Sequence, residues 1–217
     1  MVPPDPSGYG RVVKRDGKVE IVEERDASEE IRNIKEVNTG IYAFRGAFIS
    51  NSIVTLKNSN DQGEYYLTDT VGIAGRADTL VVADAEEVLG INNRAQLAQV
   101  ARIARKRINN TLMEAGVTIV DPETTHIGPG VKIGIDSVVE PMTFIYGKTT
   151  IGQNCLIGPM TRIQDSKIAD NVEIVRSEVL EADVREGARV GPYSRLRPGA
   201  VIMEQAHVGN YVELKKS

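Results

Sequence analysis

Aliphatic residues recur every six positions through the C-terminal half of the chain, and few folds accommodate such a beat. Ile127, Ile133, Val139, Ile145, Ile151, Ile157 and Ile163 keep it without a break. Ile168, Ile174 and Leu180 continue it after a slip, and Val184, Val190, Leu196, Ile202, Val208 and Leu214 restore it. A helix repeats faster than this and an alternating strand faster still. A period of six is that of a hexapeptide repeat, which winds a parallel β-helix. Each hexad is one short side of a triangular coil, with its aliphatic pointing inward onto the coils above and below. Glycine follows the aliphatic at Gly128, Gly134, Gly152, Gly158, Gly191 and Gly209 and reads as the corner residue. The sixteen hexads make roughly five coils, and no coil buries its face alone. A β-sandwich with chance spacing is the alternative, and the unbroken run of matches argues against it.

Bulk properties exclude several function classes. The chain has 217 residues, room for one large domain or two small ones. Its net charge of −4 offers no electrostatic case for nucleic acid. No apolar run approaches a membrane span, and MVPPDPSGYG lacks the features of a signal peptide. The single Cys155 has no internal disulfide partner and is expected in or near the core. A cytoplasmic location follows as an expectation.

Three regions emerge. Residues 1–92 read as mixed α and β. Arg11 to Arg15 and Lys18 to Glu23 flank Asp16-Gly17, a type I′ hairpin signal. Ser28 caps a short helix, Ile41 to Phe44 read as a strand and Ala47 to Leu56 as a helix. Lys57 to Gly63 read as a loop, Glu64 to Arg76 as a helix and Thr79 to Ala83 as a strand. Residues 93–116 form one amphipathic helix that joins two domains. Leu97, Val100, Ala101, Ala104, Ile108 and Leu112 share a face, and Gly116 is the stop. Its basic cluster reads as a solvated face. Residues 117–217 form the β-helix.

The chemistry-bearing residues are sparse. A phosphate-cradling glycine loop, a nucleophile elbow, a CxxC pair and an HExxH are all absent from the sequence. The two histidines read as structural, His126 capping the first coil and His207 at a corner. Arg195-Leu196-Arg197-Pro198-Gly199 puts two guanidinium groups around an inward leucine. Lys215 and Lys216 follow about one coil later. Stacking would bring Arg197 near Lys215 as a phosphate cradle; a solvated surface explains the same residues equally well.

Together these segments resemble one family. GYGR at 8–11, IVEERDA at 21–27, EVNTGIY at 36–42, QGEYYLTD at 62–69, GINNRAQL at 90–97, RLRPGA at 195–200 and HVGNYVELKKS at 207–217 occur in its order, across essentially the whole chain. The family is the bacterial bifunctional N-acetylglucosamine-1-phosphate uridylyltransferase / glucosamine-1-phosphate N-acetyltransferase. The resemblance implies an α/β, Rossmann-like partial nucleotidyltransferase domain joined by a helix to a left-handed parallel β-helix of hexapeptide repeats. Left-handed winding comes from the class and not from the spacing. The implied reactions are acetylation of glucosamine-1-phosphate from acetyl-CoA, then uridylyl transfer from UTP with Mg²⁺, giving UDP-N-acetylglucosamine for the cell envelope.

By resemblance, Gly10 contacts the sugar nucleotide through its backbone, and Glu23 and Asn38 hydrogen-bond the sugar. Asn92 ligates Mg²⁺ beside the phosphates, an oxygen ligand that suits the ion; by its residue type it could equally cap the linker helix. Arg197 and Lys215 bind the acceptor phosphate. A homotrimer through the β-helix is also implied, with UDP-N-acetylglucosamine or N-acetylglucosamine-1-phosphate as ligand and neither nucleic acid nor membrane as partner. The family's nucleotide loop and a Mg²⁺-binding aspartate precede GYGR, and its acetyl-transfer histidine and acetyl-CoA coils follow the KK segment. The chain is therefore expected to be a central fragment with neither active site complete. A non-catalytic trimeric scaffold or a sugar-nucleotide-binding module is the alternative.

Overall fold

The computed structural model describes residues 1–60 and 62–216. Asp61 of the expected loop and Ser217 at the end of the expected β-helix lie outside the described residues. The chain divides into two compact units, Met1–Leu97 and Ala98–Ser217.

In the first unit β1 (Arg11–Arg15) pairs antiparallel with β2 (Lys18–Val22). Asp16 at φ 50° and Gly17 at φ 73° make the tight turn between them, as a type I′ connection requires. Helix α1 (Glu29–Arg32) starts at Ser28, whose side chain accepts from the Ile31 N–H at 3.3 Å. Helices α2 (Gly46–Ser52) and α3 (Asp69–Ile73) follow.

Three expected elements are corrected here. Ile41 to Phe44 form no strand; the antiparallel bridge to Arg11 is made by Val37 instead, which also exchanges backbone hydrogen bonds with Met1. Thr79 to Ala83 form no strand either, and Leu80 is 90% exposed. Alternating sequence makes a strand only where a partner lies alongside. The expected helix from Glu64 shrinks to α3 because the Asn60 side chain holds both the N–H and the carbonyl of Glu64. A first helical turn would need that carbonyl as an acceptor, whereas its first N–H groups have no partner within the helix. No layered α/β sheet occurs among the described residues of this unit, which leaves Leu80, Val54 and Ile41 exposed.

Helix α4 (Arg94–Glu114) ends in the second unit with a Schellman motif. The Val117 N–H reaches the Leu112 carbonyl and the Gly116 N–H that of Met113, with Gly116 at φ 96°. Ile108 and Leu112 of the expected stripe pack on the core, joined by Met113. Ala101 and Ala104 stay exposed. Asn109, which the stripe did not include, is fully buried and donates to the carbonyls of Pro122 and Thr125.

From Thr118 onward the chain winds three parallel sheets of six, five and six short strands, a solenoid of between five and six coils. One inward column is Ile119, Val139, Ile157, Ile174, Val190 and Val208. The second is Ile127, Ile145, Ile163, Val179, Leu196 and Leu214. The third is Ile133, Ile151, Ile168, Val184 and Ile202. Val179 therefore replaces Leu180 on the beat: it is 0% exposed, while Leu180 sits one residue past the inward position. Three short sides of five residues, Ile163 to Ile168, Ile174 to Val179 and Val179 to Val184, let the register change without breaking the columns.

The glycines that follow the aliphatics do a different job from the one expected. Of Gly134, Gly152, Gly158 and Gly191, only the last two have positive φ. A Cβ on Gly134 would lie 2.6 Å from the Gly152 carbonyl, so this glycine permits close stacking of coils. Left-handed corners fall instead on Asp136, Asn154, Asn171 and Gln205, on Asp165 and Glu181, and on Met142, Met160, Arg176, Tyr193 and Tyr211. Asn and Asp tolerate that conformation. The last column is costly for its residue types and leaves Met142, Met160, Tyr193 and Tyr211 exposed.

Beside the aliphatics, Thr125, Thr143, Thr161, Ser177 and Ser194 form a buried hydroxyl column. Ser177 Oγ, for example, accepts from the Ser194 N–H at 3.1 Å. Cys155 is buried, and burial pushes its thiol up. His126 and His207 lie on flat strand faces, not at a cap or a corner; His126 stacks on Phe144 at 5.1 Å.

Val179→Ala should destabilise the solenoid by about 2 kcal/mol through lost burial and a cavity. Leu180→Ala should cost well under half of that, and urea unfolding checks the order. Amide exchange should be slower through 127–214 than in β1 and β2, because each inner strand is paired on both edges; equal protection would contradict this.

Candidate functional site

A buried arginine organises the candidate site in the first unit. Arg11 is 2% exposed. Its guanidinium forms an ion pair with Glu24 at 2.6 Å and donates to the carbonyls of Arg32, at 3.2 Å, and Tyr9. A buried guanidinium is tolerated only when so paired. The result ties the turn before β1 to the segment after β2. The Asn38 N–H then donates to the Gly10 carbonyl at 2.8 Å. Gly10, Glu23 and Asn38 thus converge at one end of the hairpin.

Their geometry is close. A Cβ on Gly10 would lie 3.1 Å from Ile21 Cγ2 and 3.2 Å from Glu23 Oε2. The other oxygen of Glu23 accepts from the Thr68 hydroxyl at 3.1 Å. Asn38 Oδ1 accepts from the Gly40 N–H at 3.0 Å, which leaves its amide hydrogens as donors. Tyr42 stands beside both. Burial pushes its phenol up, a hydrogen bond with the Asn38 side chain partly offsets this, and the Glu23 charge adds to it. Beyond Glu23 lies a cleft of ≈ 450 Å³ whose walls include Asp26, Lys57, Asn60, Tyr66 and Asp69. Desolvation raises the Asp69 carboxyl, and the Asp26 charge adds to the shift. Thr68, Tyr66 and Tyr42 were not among the expected site residues. The signal for two of them was in QGEYYLTD, where a polar residue interrupts what reads as a helix.

Asn92 lies in the loop before α4. A Cβ on neighbouring Gly90 would lie 3.8 Å from the Tyr9 ring, which places this loop beside the turn that carries Gly10. The helix cap is Asn93 and not Asn92. Asn93 Oδ1 accepts from the Gln96 N–H at 2.9 Å, and Gln96 Oε1 accepts from both the Asn92 and Asn93 N–H groups. This reciprocal pairing is a capping box. The Asn92 side chain is left out of the cap and exposed. One neutral amide oxygen falls far short of an octahedral Mg²⁺ shell. No group of three or more His, Cys, Asp or Glu converges among the described residues. The residues present do not by themselves form a Mg²⁺ site.

Arg197 and Lys215 directly follow two adjacent strands of the second unit, Arg195–Leu196 and Glu213–Leu214. Arg195 is paired in register with Glu213, and the Arg197 N–H donates to the Leu214 carbonyl at 3.0 Å. Both cations meet one carboxylate: Arg197 Nη1 is 3.5 Å and Lys215 Nζ 4.0 Å from Glu213. Arg195 bridges Glu213 to Glu178, which Arg162 also pairs. The expected neighbourhood of Arg197 and Lys215 is therefore present, with Glu213 between the two charges. All three side chains are exposed, so these pairs are exchangeable with an anion at little cost.

Comparison with known proteins follows from these two clusters. No family model matches the chain. Proteins named bifunctional protein GlmU match it from end to end. That of Fervidobacterium nodosum is 50% identical over 217 residues, 100% of this chain and 48% of the relative. That of Thermosipho africanus is 51% identical over 213 residues, 98% of this chain and 47% of the relative. That of Limosilactobacillus reuteri is 46% identical over 222 residues, 100% of this chain and 49% of the relative. By sequence, the chain is similar to the bifunctional GlmU proteins over essentially its whole length. It spans about half the length of these curated relatives. A solved structure of the acetyltransferase domain of PglB from Neisseria gonorrhoeae aligns at 20% identity over 52% of this chain and 55% of that one, with a TM-score of 0.27. So low a score adds nothing to the fold, which rests on the ladders described above.

The GlmU likeness covers both clusters, which lie in different units. Gly10→Ala should move Glu23 Oε2 and Ile21, since contacts of 3.1–3.2 Å are tighter than a Cβ tolerates. The expected cost is about 1 kcal/mol of stability with a displaced Glu23 side-chain resonance. An unchanged resonance would show that the wall yields elsewhere.

Proposed function

We propose that the chain is part of an enzyme that makes UDP-N-acetylglucosamine. In this reading the first unit supplies the sugar side of a Rossmann-like uridylyltransferase domain over residues 1–92. The helix over 93–116 joins it to an acetyltransferase domain, a left-handed β-helix, over 117–217. The convergence of Gly10, Glu23 and Asn38 on one rim, in a chain that resembles GlmU proteins throughout, carries the proposal. Glu23 Oε2 accepts from a sugar hydroxyl and the Asn38 amide donates to a sugar or acetamido oxygen. Gly10 lets the ring approach the backbone. Arg197 and Lys215 exchange Glu213 for the phosphate of glucosamine-1-phosphate, a trade between oxyanions that leaves each cation paired. Acetyl-CoA and UTP are the co-substrates.

No helix among the described residues is long and apolar enough to cross a membrane, and cytoplasmic synthesis is the reading that fits. Homotrimerisation through the solenoid is supported by the exposed Met142, Met160, Tyr193 and Tyr211 corner. The same corner favours the second reading, a non-catalytic trimeric scaffold. Calorimetry separates them. The enzyme reading expects N-acetylglucosamine-1-phosphate binding that Glu23→Gln weakens, and glucosamine-1-phosphate binding that Arg197→Ala with Lys215→Ala abolishes. A trimer by light scattering that binds neither sugar phosphate would leave only the scaffold.

A further inference from the structure

We propose that Glu213 is a built-in competitor at the Arg197–Lys215 site, holding both cations until a phosphate monoester displaces it onto Arg195. The inference rests on the phosphate-binding reading above and deepens it, because it assigns what sets the affinity of that site and where the displaced carboxylate goes.

One face of the solenoid carries a column of alternating charge. Arg162, Glu178, Arg195 and Glu213 stand in register on successive coils. Glu178 is gripped from both sides, by Arg162 Nη1 at 3.3 Å and by Arg195 Nε at 2.8 Å. Glu213 is held differently. Arg197 Nη1 is 3.5 Å from it, and Arg195 Nη1 and Lys215 Nζ are each 4.0 Å away. All three distances exceed that of a charge-assisted hydrogen bond. One carboxylate thus faces three cations and makes a close contact with none of them.

The charges define what can replace it. Four cations, Arg162, Arg195, Arg197 and Lys215, meet two carboxylates, Glu178 and Glu213. The shortage of negative charge falls at the end where Arg197 and Lys215 lie. A phosphate monoester carries close to two negative charges at neutral pH and makes up the difference; a monoanion does not. Arg195 can receive the displaced side chain, because a guanidinium presents five N–H donors in a rigid fork. Its Nε keeps Glu178 while its Nη1 takes Glu213, which needs an approach of roughly 1 Å to reach hydrogen-bonding distance. The side chains involved are exposed, so the exchange meets little desolvation cost. Arg195 is then a positioning residue: it holds Glu213 and does not touch the ligand.

Calorimetric titration of glucosamine-1-phosphate into the whole chain, at one fixed salt concentration, is the test. Glu213→Gln removes the competitor and keeps the size of the side chain. We expect it to bind about fivefold more tightly than the wild type, the scale of two exposed ion pairs that no longer have to be broken. Arg195→Gln leaves the displaced carboxylate without a receiver, and binding should weaken by about the same factor. The double variant should bind at least as tightly as the wild type, a rescue that a merely structural arginine would not give. Inorganic phosphate should follow the same order, since the competition is for the phosphate. Glu213→Gln binding no more tightly than the wild type would overturn the inference and leave the phosphate-binding reading standing. An Arg195→Gln loss that persists in the double variant would do the same. No binding by either the wild type or Glu213→Gln would overturn the reading and the inference together.

Discussion

The stacking of one coil on the next is the constraint on which the second unit depends. No strand there exceeds three residues, far too short to hold itself. Each inner rung is paired above and below, and the inward aliphatics form continuous dry columns. Burial of each such side chain is worth roughly 1.5–3 kcal/mol, so the columns outweigh what the corners cost. Coils can stack this tightly only where nothing projects between them. Gly134 and Gly152 meet that demand with no side chain, and the buried Ser and Thr column meets it with small groups, of which Thr161 and Ser177 also accept from a backbone N–H of the next coil.

The corners show the same economy of space with a different outcome. Two of the three corner columns carry Asp, Asn, Gln, Glu and Gly, residues that hydrogen-bond locally or carry no Cβ. Asp165 Oδ1, for instance, accepts from the Lys148 N–H one coil below at 2.9 Å. The third column places Met and Tyr in the left-handed region and leaves them exposed, with Tyr193 and Tyr211 stacked at 5.5 Å. The exposure of these four large apolar side chains in one column is the observation on which the proposed trimer rests.

The first unit depends on one ion pair rather than on repetition. Arg11 joins three stretches of chain at once, and its burial makes each contact matter. Gly10 and Glu23 lie next to those anchor points, and Asn38 is fastened to Gly10 by its own backbone. The candidate site is thus built on a rigid support while the surrounding segments carry exposed leucine, valine and isoleucine. GYGR, IVEERDA and EVNTGIY could be read as segments in the sequence. That they share an end of one hairpin could not, because residues 10, 23 and 38 meet only through long-range backbone pairing.

The six-residue beat by itself determined the solenoid, because a period of six suits a three-sided coil and neither a helix nor a two-sided strand. Asp16-Gly17, Ser28 and Gly116 likewise determined their turn, cap and stop through local backbone chemistry. Tertiary structure decided what depends on distant partners. It chose Val179 over Leu180 where the beat slips, since the ladder fixes which neighbour faces inward. It withheld strands from Ile41 to Phe44 and Thr79 to Ala83, where no partner strand lies alongside. It let the Asn60 side chain unmake the first turn of a helix, passed the cap of α4 to Asn93, and brought Tyr42 and Thr68 to the rim with Glu23. Local rules settle turns and periods; only the assembled chain settles which groups are left to find each other.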